Sequence, residues 1–104
     1  MNHVNLIGKL CSAPKFRIAE DGRKIANFTM STHEVYLNEK GDPQKISHWH
    51  RLTAWGNDLK ALEELGERGR QMAVEGKLST RFYKDKSGQR ISSSEVLVNS
   101  LSFI

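Results

Sequence analysis

Between Ser47 and Trp55 the side chains sort into two sets by alternate position. Trp49, Arg51, Thr53 and Trp55 form one set, and His48, His50, Leu52 and Ala54 form the other. Successive side chains of a strand point to opposite faces, so each set shares a face. Leu52 and Ala54 mark the core side. The same period of two predicts strands at about Asn2–Leu10, Lys24–Glu34, Ser47–Trp55, Arg70–Tyr83 and Arg90–Phe103. Turn signals separate them at Glu20-Asp21-Gly22, Lys40-Gly41-Asp42-Pro43, Gly66 to Gly69 and Lys86-Ser87-Gly88. One helix fits between the third and fourth strands, with Asn57 placed to cap it and Leu59, Leu62 and Leu65 along one face.

Five strands with one helix between strands 3 and 4 is the element order of an all-β OB-fold barrel. An open mixed α+β sheet is the competing arrangement. The 104 residues suit one domain and allow only a thin core. With 38% hydrophobic and 27% charged residues, the composition is that of a soluble globular chain. No apolar run approaches the roughly 20 residues of a membrane span, and no signal peptide opens the chain. The single cysteine, Cys11, has no disulfide partner within the chain, which points to a cytoplasmic setting.

Net charge is +4, a weak pointer to an anionic partner, and the placement of the charges says more than their sum. A core would not bury Arg51 between two tryptophans without a partner, and a bare outer face would not show two tryptophans to water. A single-stranded nucleic acid answers both objections, because bases stack on the rings and the guanidinium meets a phosphate. In the fourth strand Met72, Val74, Leu78 and Phe82 share one face, with Gly76 and Thr80 between them. Lys77, Ser79, Arg81 and Tyr83 share the other. Lys84, Lys86 and Arg90 flank the turn at Gly88 and predict a basic hairpin. Singly, such residues are ordinary packing or edge decoration. What favours single-stranded nucleic acid is coincidence, since Trp49, Arg51, Trp55, Lys77, Arg81 and Tyr83 all fall on non-core faces by one parity rule.

The same residues resemble the bacterial single-stranded DNA-binding proteins. Asn2-x-Val4-x-Leu6-x-Gly8-x-Leu10, with Pro14 and Arg17, is similar to that family's first strand and loop. Gly22 and Phe28 fit the next segment, and Trp49-His50-Arg51 with Trp55-Gly56 the third strand. Val74-Glu75-Gly76-x-Leu78-x-Thr80-Arg81 and Glu95-Val96-x-Val98 resemble the last two. The resemblance covers essentially the whole chain in order. It implies an OB-fold and a bacterial, nucleoid-associated homotetramer that protects exposed strands in replication, recombination and repair. It also implies base stacking by Trp49, Trp55 and Tyr83, and a subunit interface that includes His50 and Asn5. A fourth family aromatic would align with Val35, where this chain has none. Tyr36 stands one residue on, with opposite parity, as its substitute. The family usually continues into a flexible acidic tail. This chain ends at Phe103-Ile104, so partners recruited through such a tail are not expected.

Other chemistry has little to stand on. His48 and His50 share a strand face, but zinc needs further ligands that no spacing supplies, so neither a metal nor a cofactor is expected. No phosphate-binding glycine loop and no nucleophile elbow occur, and no base is placed beside Cys11, so an enzyme is not expected. A protein-binding OB module, such as a primosome accessory protein, is the rival of another class. It would bind protein tightly and single strands weakly.

Overall fold

A computed structural model describes residues 1–104. Its elements are β1 (Val4–Leu10), β2 (Lys15–Ile18), β3 (Lys24–Leu37), β4 (Pro43–Trp55), α1 (Asp58–Leu65), β5 (Gln71–Lys84) and β6 (Arg90–Phe103). The hydrogen-bonded order is β1-β5-β6-β4-β3-β2, and β1 also pairs with β3 at Lys9↔Ser31 and Leu10↔Met30. That pairing closes five strands into a barrel of the OB type, with β2 added outside on β3. Neighbours are antiparallel except β4 and β6, which meet in parallel at Leu52↔Val96 and Thr53↔Leu97.

Alternation builds the core. Leu10, Ala26, Phe28, Met30, Leu52, Ala54, Met72, Val74, Val96 and Val98 point inward, and Leu59 and Leu62 of α1 pack against them. Two glycines permit the tight closure. A Cβ on Gly8 would lie 2.0 Å from the Ser31 carbonyl oxygen, and one on Gly76 would lie 2.2 Å from that of Leu97. Gly76 also sits where the β5–β6 register slips, with Glu75 opposite Ser100 and Gly76 opposite Val98. Asn99 is thereby left as the extra residue of a bulge that bends the barrel wall.

Two ribbons run on beyond the barrel. β3 and β4 stay paired out to Leu37↔Pro43, and β5 and β6 out to Lys84↔Arg90. The radius of gyration, 16.0 Å, exceeds the roughly 13 Å of a compact chain this size because of these arms.

The structure corrects several expectations. The barrel carries a sixth strand, β2, all four of whose residues are exposed. Asn57 precedes α1 but makes no side-chain cap bond. Gly56, at φ 77°, ends β4, and its carbonyl takes the Leu59 N–H. Asn57 is thereby already helical, at φ −65° and ψ −25°, whereas a capping side chain needs an extended backbone. Leu65 is exposed instead of packed. Leu78 and Phe82 keep the parity of Met72 and Val74 but are 48% and 65% exposed, because β5 has left the barrel by that point. The one helix, eight residues long, is not long and apolar enough to cross a membrane.

Candidate nucleic-acid interface

Directly paired residues on neighbouring strands point to the same side of a sheet, so the registers define a face. On β4, Trp49, Arg51, Thr53 and Trp55 stand opposite Ser31, Thr29, Asn27 and Ile25 of β3. Asn27 and Ile25 in turn stand opposite Lys15 and Arg17 of β2. On the other flank Thr53 meets Leu97 of β6, and Leu97, Glu95, Ser93 and Ile91 face Lys77, Ser79, Arg81 and Tyr83 of β5. Five strands thus present one outer surface that carries Trp49, Arg51, Trp55, Lys77, Arg81 and Tyr83 together.

Trp49 is 69% exposed, with only Ser31 opposite it. Trp55 is half-buried, and the Arg23 guanidinium lies 5.7 Å from its ring centroid. Tyr83 is about half exposed. Arg51 donates to the Ser93 hydroxyl and, at 3.4 Å, to the Ser94 carbonyl, which aims it across β6 toward Arg81. Arg51 and Arg81 line one groove of about 400 Å³ with Ser12, Lys15, Thr29 and Glu95. Glu95 is the anion in this surface. Arg81 lies 3.7 Å from its carboxylate, and the Thr53 hydroxyl lies 2.9 Å from it. Thr53 also lies 3.0 Å from the Asn27 side-chain oxygen and is only 8% exposed, so it belongs to the buried floor of the face and not to its contact surface.

The remaining residues singled out in the sequence lie elsewhere. Lys84 and Arg90 pair on the reverse side of the β5–β6 arm, and Lys86 sits in its turn. Tyr36 stands opposite Gln44, on the side of the β3–β4 arm away from Trp49. His50 faces the mouth of the barrel, its Nε2 2.9 Å from the Thr32 hydroxyl. Burial, and then the neighbouring His48, hold its pKa below the usual imidazole value. His48 itself lies 3.6 Å from the Glu34 carboxylate, and His33 pairs with Ser47. Asn5 is exposed on β1 opposite Glu75, beside Ile7 and Ala73 in a shallow groove, and is not brought near His50.

Lys15, Arg17 and Arg23 also lie on or beside this surface, and the sequence reading gave none of them a binding role. Lys15 and Arg17 alternate with Phe16 and Ile18, a usable signal, but the stretch is four residues long and buries nothing.

The family model for the single-strand binding protein family matches residues 1–104. The single-stranded DNA-binding protein 1 of Chlorobaculum tepidum is 32% identical over 105 residues, and the match covers all of this chain and 65% of that protein. Among solved structures, a Plasmodium falciparum SSB in complex with ssDNA superposes with a TM-score of 0.90 at 26% identity, covering all of this chain and 95% of that one. A deletion mutant of the Thermus aquaticus single-stranded DNA binding protein gives 0.86 at 24% identity, over all of this chain and half of that one. The barrel, its outer face and a family model that spans every residue agree, and the chain belongs to the single-strand binding protein family.

Proposed function

We propose that this chain binds single-stranded DNA without sequence specificity and performs no catalysis. One observation carries the reading. The strand registers bring Trp49, Trp55 and Tyr83 onto the same surface as Arg51, Lys77 and Arg81. Rings alone would suit a protein partner, and cations alone would suit any polyanion. Interleaved, they suit bases and phosphates in alternation. Every base has a stacking face, so no base is preferred. Lys84, Lys86 and Arg90 extend the phosphate track along the β5–β6 arm, and Tyr36 supplies a further ring on the β3–β4 arm.

In this reading the protein coats exposed strands during replication, recombination and repair in the bacterial cytoplasm, as a homotetramer. Only 15 of the 104 residues are buried, so subunit contacts through Asn5 on β1 and His50 at the barrel mouth would complete a thin core. Sedimentation at micromolar concentration should report about four chains, and a stable monomer that binds single strands tightly would refute the assembly.

Titration of intrinsic fluorescence with oligothymidine tests the binding site. Both tryptophans lie on the proposed surface, so emission should be quenched as DNA binds, and less so as salt rises. Unchanged emission with retained binding would move the site elsewhere, and tighter binding to duplex would end the reading.

A further inference from the structure

The outer face leaves Phe82 unused, the most exposed ring outside it. Phe82 precedes Tyr83, so the two side chains leave opposite sides of the β5–β6 arm. Phe82 is 65% exposed, and the Arg90 guanidinium lies 5.5 Å from its ring centroid. Its direct cross-strand partner is Ser92, too small to cover it. Lys84 stands next along the same side, paired with Arg90. The other residues on that side are Leu78, Thr80, Ser94 and Val96, and no carboxylate is among them.

We propose that this reverse face is a second base-stacking site, so that one nucleic-acid strand rounds the arm and stacks on Tyr83 on one side and on Phe82 on the other. The proposal rests on the single-strand-binding reading above. Beyond the barrel the arm is a two-stranded ribbon. Pairing of β1 with β5 stops at Val4↔Gly76, and β4 meets β6 only at Leu52↔Val96 and Thr53↔Leu97. Past that point the edges carry only side-chain bonds, from Asn2 to the Leu78 backbone on β5 and from Arg51 to the Ser94 carbonyl and Ser93 hydroxyl on β6, and beyond Arg81, out to the turn, they are open. Arg81, Lys84, Lys86 and Arg90 then offer cations on the outer side, the reverse side and the turn, against the one carboxylate of Asp85 between them, so a backbone crossing from Tyr83 to Phe82 meets net positive charge. An exposed cation–π contact is weak, so Arg90 can exchange the ring for a phosphate and release the ring to a base.

A second copy of this chain is the rival occupant. A two-fold contact through this face would press Lys84 and Arg90 of one copy against the same cations of the other, with no carboxylate on the face to offset them. A polyanion suits the surface better.

The test uses two oligothymidines, one of about 8 nucleotides, enough for one OB surface, and one about four times longer. Phe82→Ala should weaken the longer complex by about 5- to 100-fold and leave the shorter one unchanged, and Phe82→Tyr should restore it. In the wild type, a long oligomer carrying a photoreactive uracil should crosslink to Phe82 as well as Tyr83, resolved by fragmentation of the peptide. Equal losses at both lengths, or no loss and no crosslink at Phe82, would overturn the proposal. A changed oligomeric state at unchanged DNA affinity would assign the face to subunit contact instead. If the wild type bound neither oligomer, the underlying reading would fall first, and that outcome is distinct from all the others.

Discussion

The two arms end in the same turn and carry opposite charge. In the β3–β4 arm Asn38 donates its N–H to the Asp42 carbonyl at 3.0 Å, and Gly41 donates to the Asn38 carbonyl at 2.9 Å. The Asn38 side-chain oxygen accepts from the N–H groups of Lys40 and Asp42. In the β5–β6 arm Asp85, Gly88 and Gln89 repeat these bonds at 2.9 and 3.0 Å, and the Asp85 carboxylate accepts from the N–H groups of Ser87 and Gln89. Both glycines are left-handed, at φ 81° and 83°. Yet between Arg81 and Arg90 the second arm sets four cations against one carboxylate, whereas the first sets Lys40 and Lys45 against Glu34, Glu39 and Asp42. The exposed apolar side chains differ too. The second arm shows Phe82 and Tyr83, the first Val35, Leu37 and Ile46 beside Tyr36. Turn geometry therefore says where an arm ends and nothing about what it touches. On the proposed reading, charge separates an arm that would draw phosphate from one that would offer a strand its Tyr36 ring and little electrostatic attraction.

Reversing that charge difference should give the largest effect. Lys84→Glu, Lys86→Glu and Arg90→Glu together should weaken binding of oligothymidine by at least about 10- to 100-fold at low salt. They should also lower the slope of log affinity against log salt by about 2, at roughly 0.7 for each phosphate no longer neutralised. Lys40→Glu with Lys45→Glu, the matched change on the other arm, should shift neither quantity appreciably. Comparable losses from both sets would erase the distinction between the arms.

Trp49 stands at the root of the β3–β4 arm and sharpens the comparison, because it belongs to the outer face and not to the arm's own chemistry. Trp49→Ala should cost about 1–3 kcal/mol of binding free energy. The thermal midpoint should barely move, since the ring is 69% exposed. Val35→Ala, on the same side of the arm but further out, should cost much less. Titrations of the two variants decide the point, and equal losses would extend the stacking surface along the arm.

Much of this was legible in the sequence wherever burial is strictly one-sided. Parity placed Trp49, Arg51, Trp55, Lys77, Arg81 and Tyr83 on non-core faces, and the registers put them on one surface. Parity failed where a strand outruns the barrel. Leu78 and Phe82 follow the inward pattern of Met72 and Val74 but have no core beneath them. Thr53 shows the converse, since an outward position is buried when Asn27 and Glu95 close over it. Lys15–Ile18 escaped notice because a strand held by backbone pairing to one edge leaves no burial pattern to read.

His50, also at the root of the β3–β4 arm, should make stability depend on pH. Burial and the adjacent His48 lower its pKa in the folded chain, so the unfolded chain binds a proton more readily. The contribution is complete above the unfolded value of about 6.5 and is lost as pH falls below it toward the folded value. The midpoint of thermal unfolding should therefore fall between about pH 7.5 and 5.5, and His50→Gln should flatten that fall while keeping a partner for Thr32. An equally steep profile in the variant would place the sensitivity in another group.

The smallest effect comes from the one chemical difference between the two turns, a carboxylate in Asp85 where the other has the amide of Asn38. Bonds from the Ser87 hydroxyl and then the Gln89 N–H hold the Asp85 carboxyl below its ordinary pKa. For an acid so depressed, the stabilisation is present above the unfolded value of about 3.9 and is lost as pH falls through the folded value. Asp85→Asn keeps an acceptor for the same N–H groups, as Asn38 demonstrates, so the turn should persist. The acid-side loss should vanish, and the arm becomes wholly cationic from Arg81 to Arg90. DNA affinity should then rise by about two-fold at low salt, with the gain screened away at high salt. Asn38→Asp, the reciprocal change, should add acid sensitivity to the other arm and leave affinity alone, because that arm is already net acidic. Paired titrations of the two variants at low and high salt separate turn geometry from turn charge. A loss of affinity in Asp85→Asn would mean that the carboxylate orders the cations around it, and the two arms would then differ in rigidity as well as in sign.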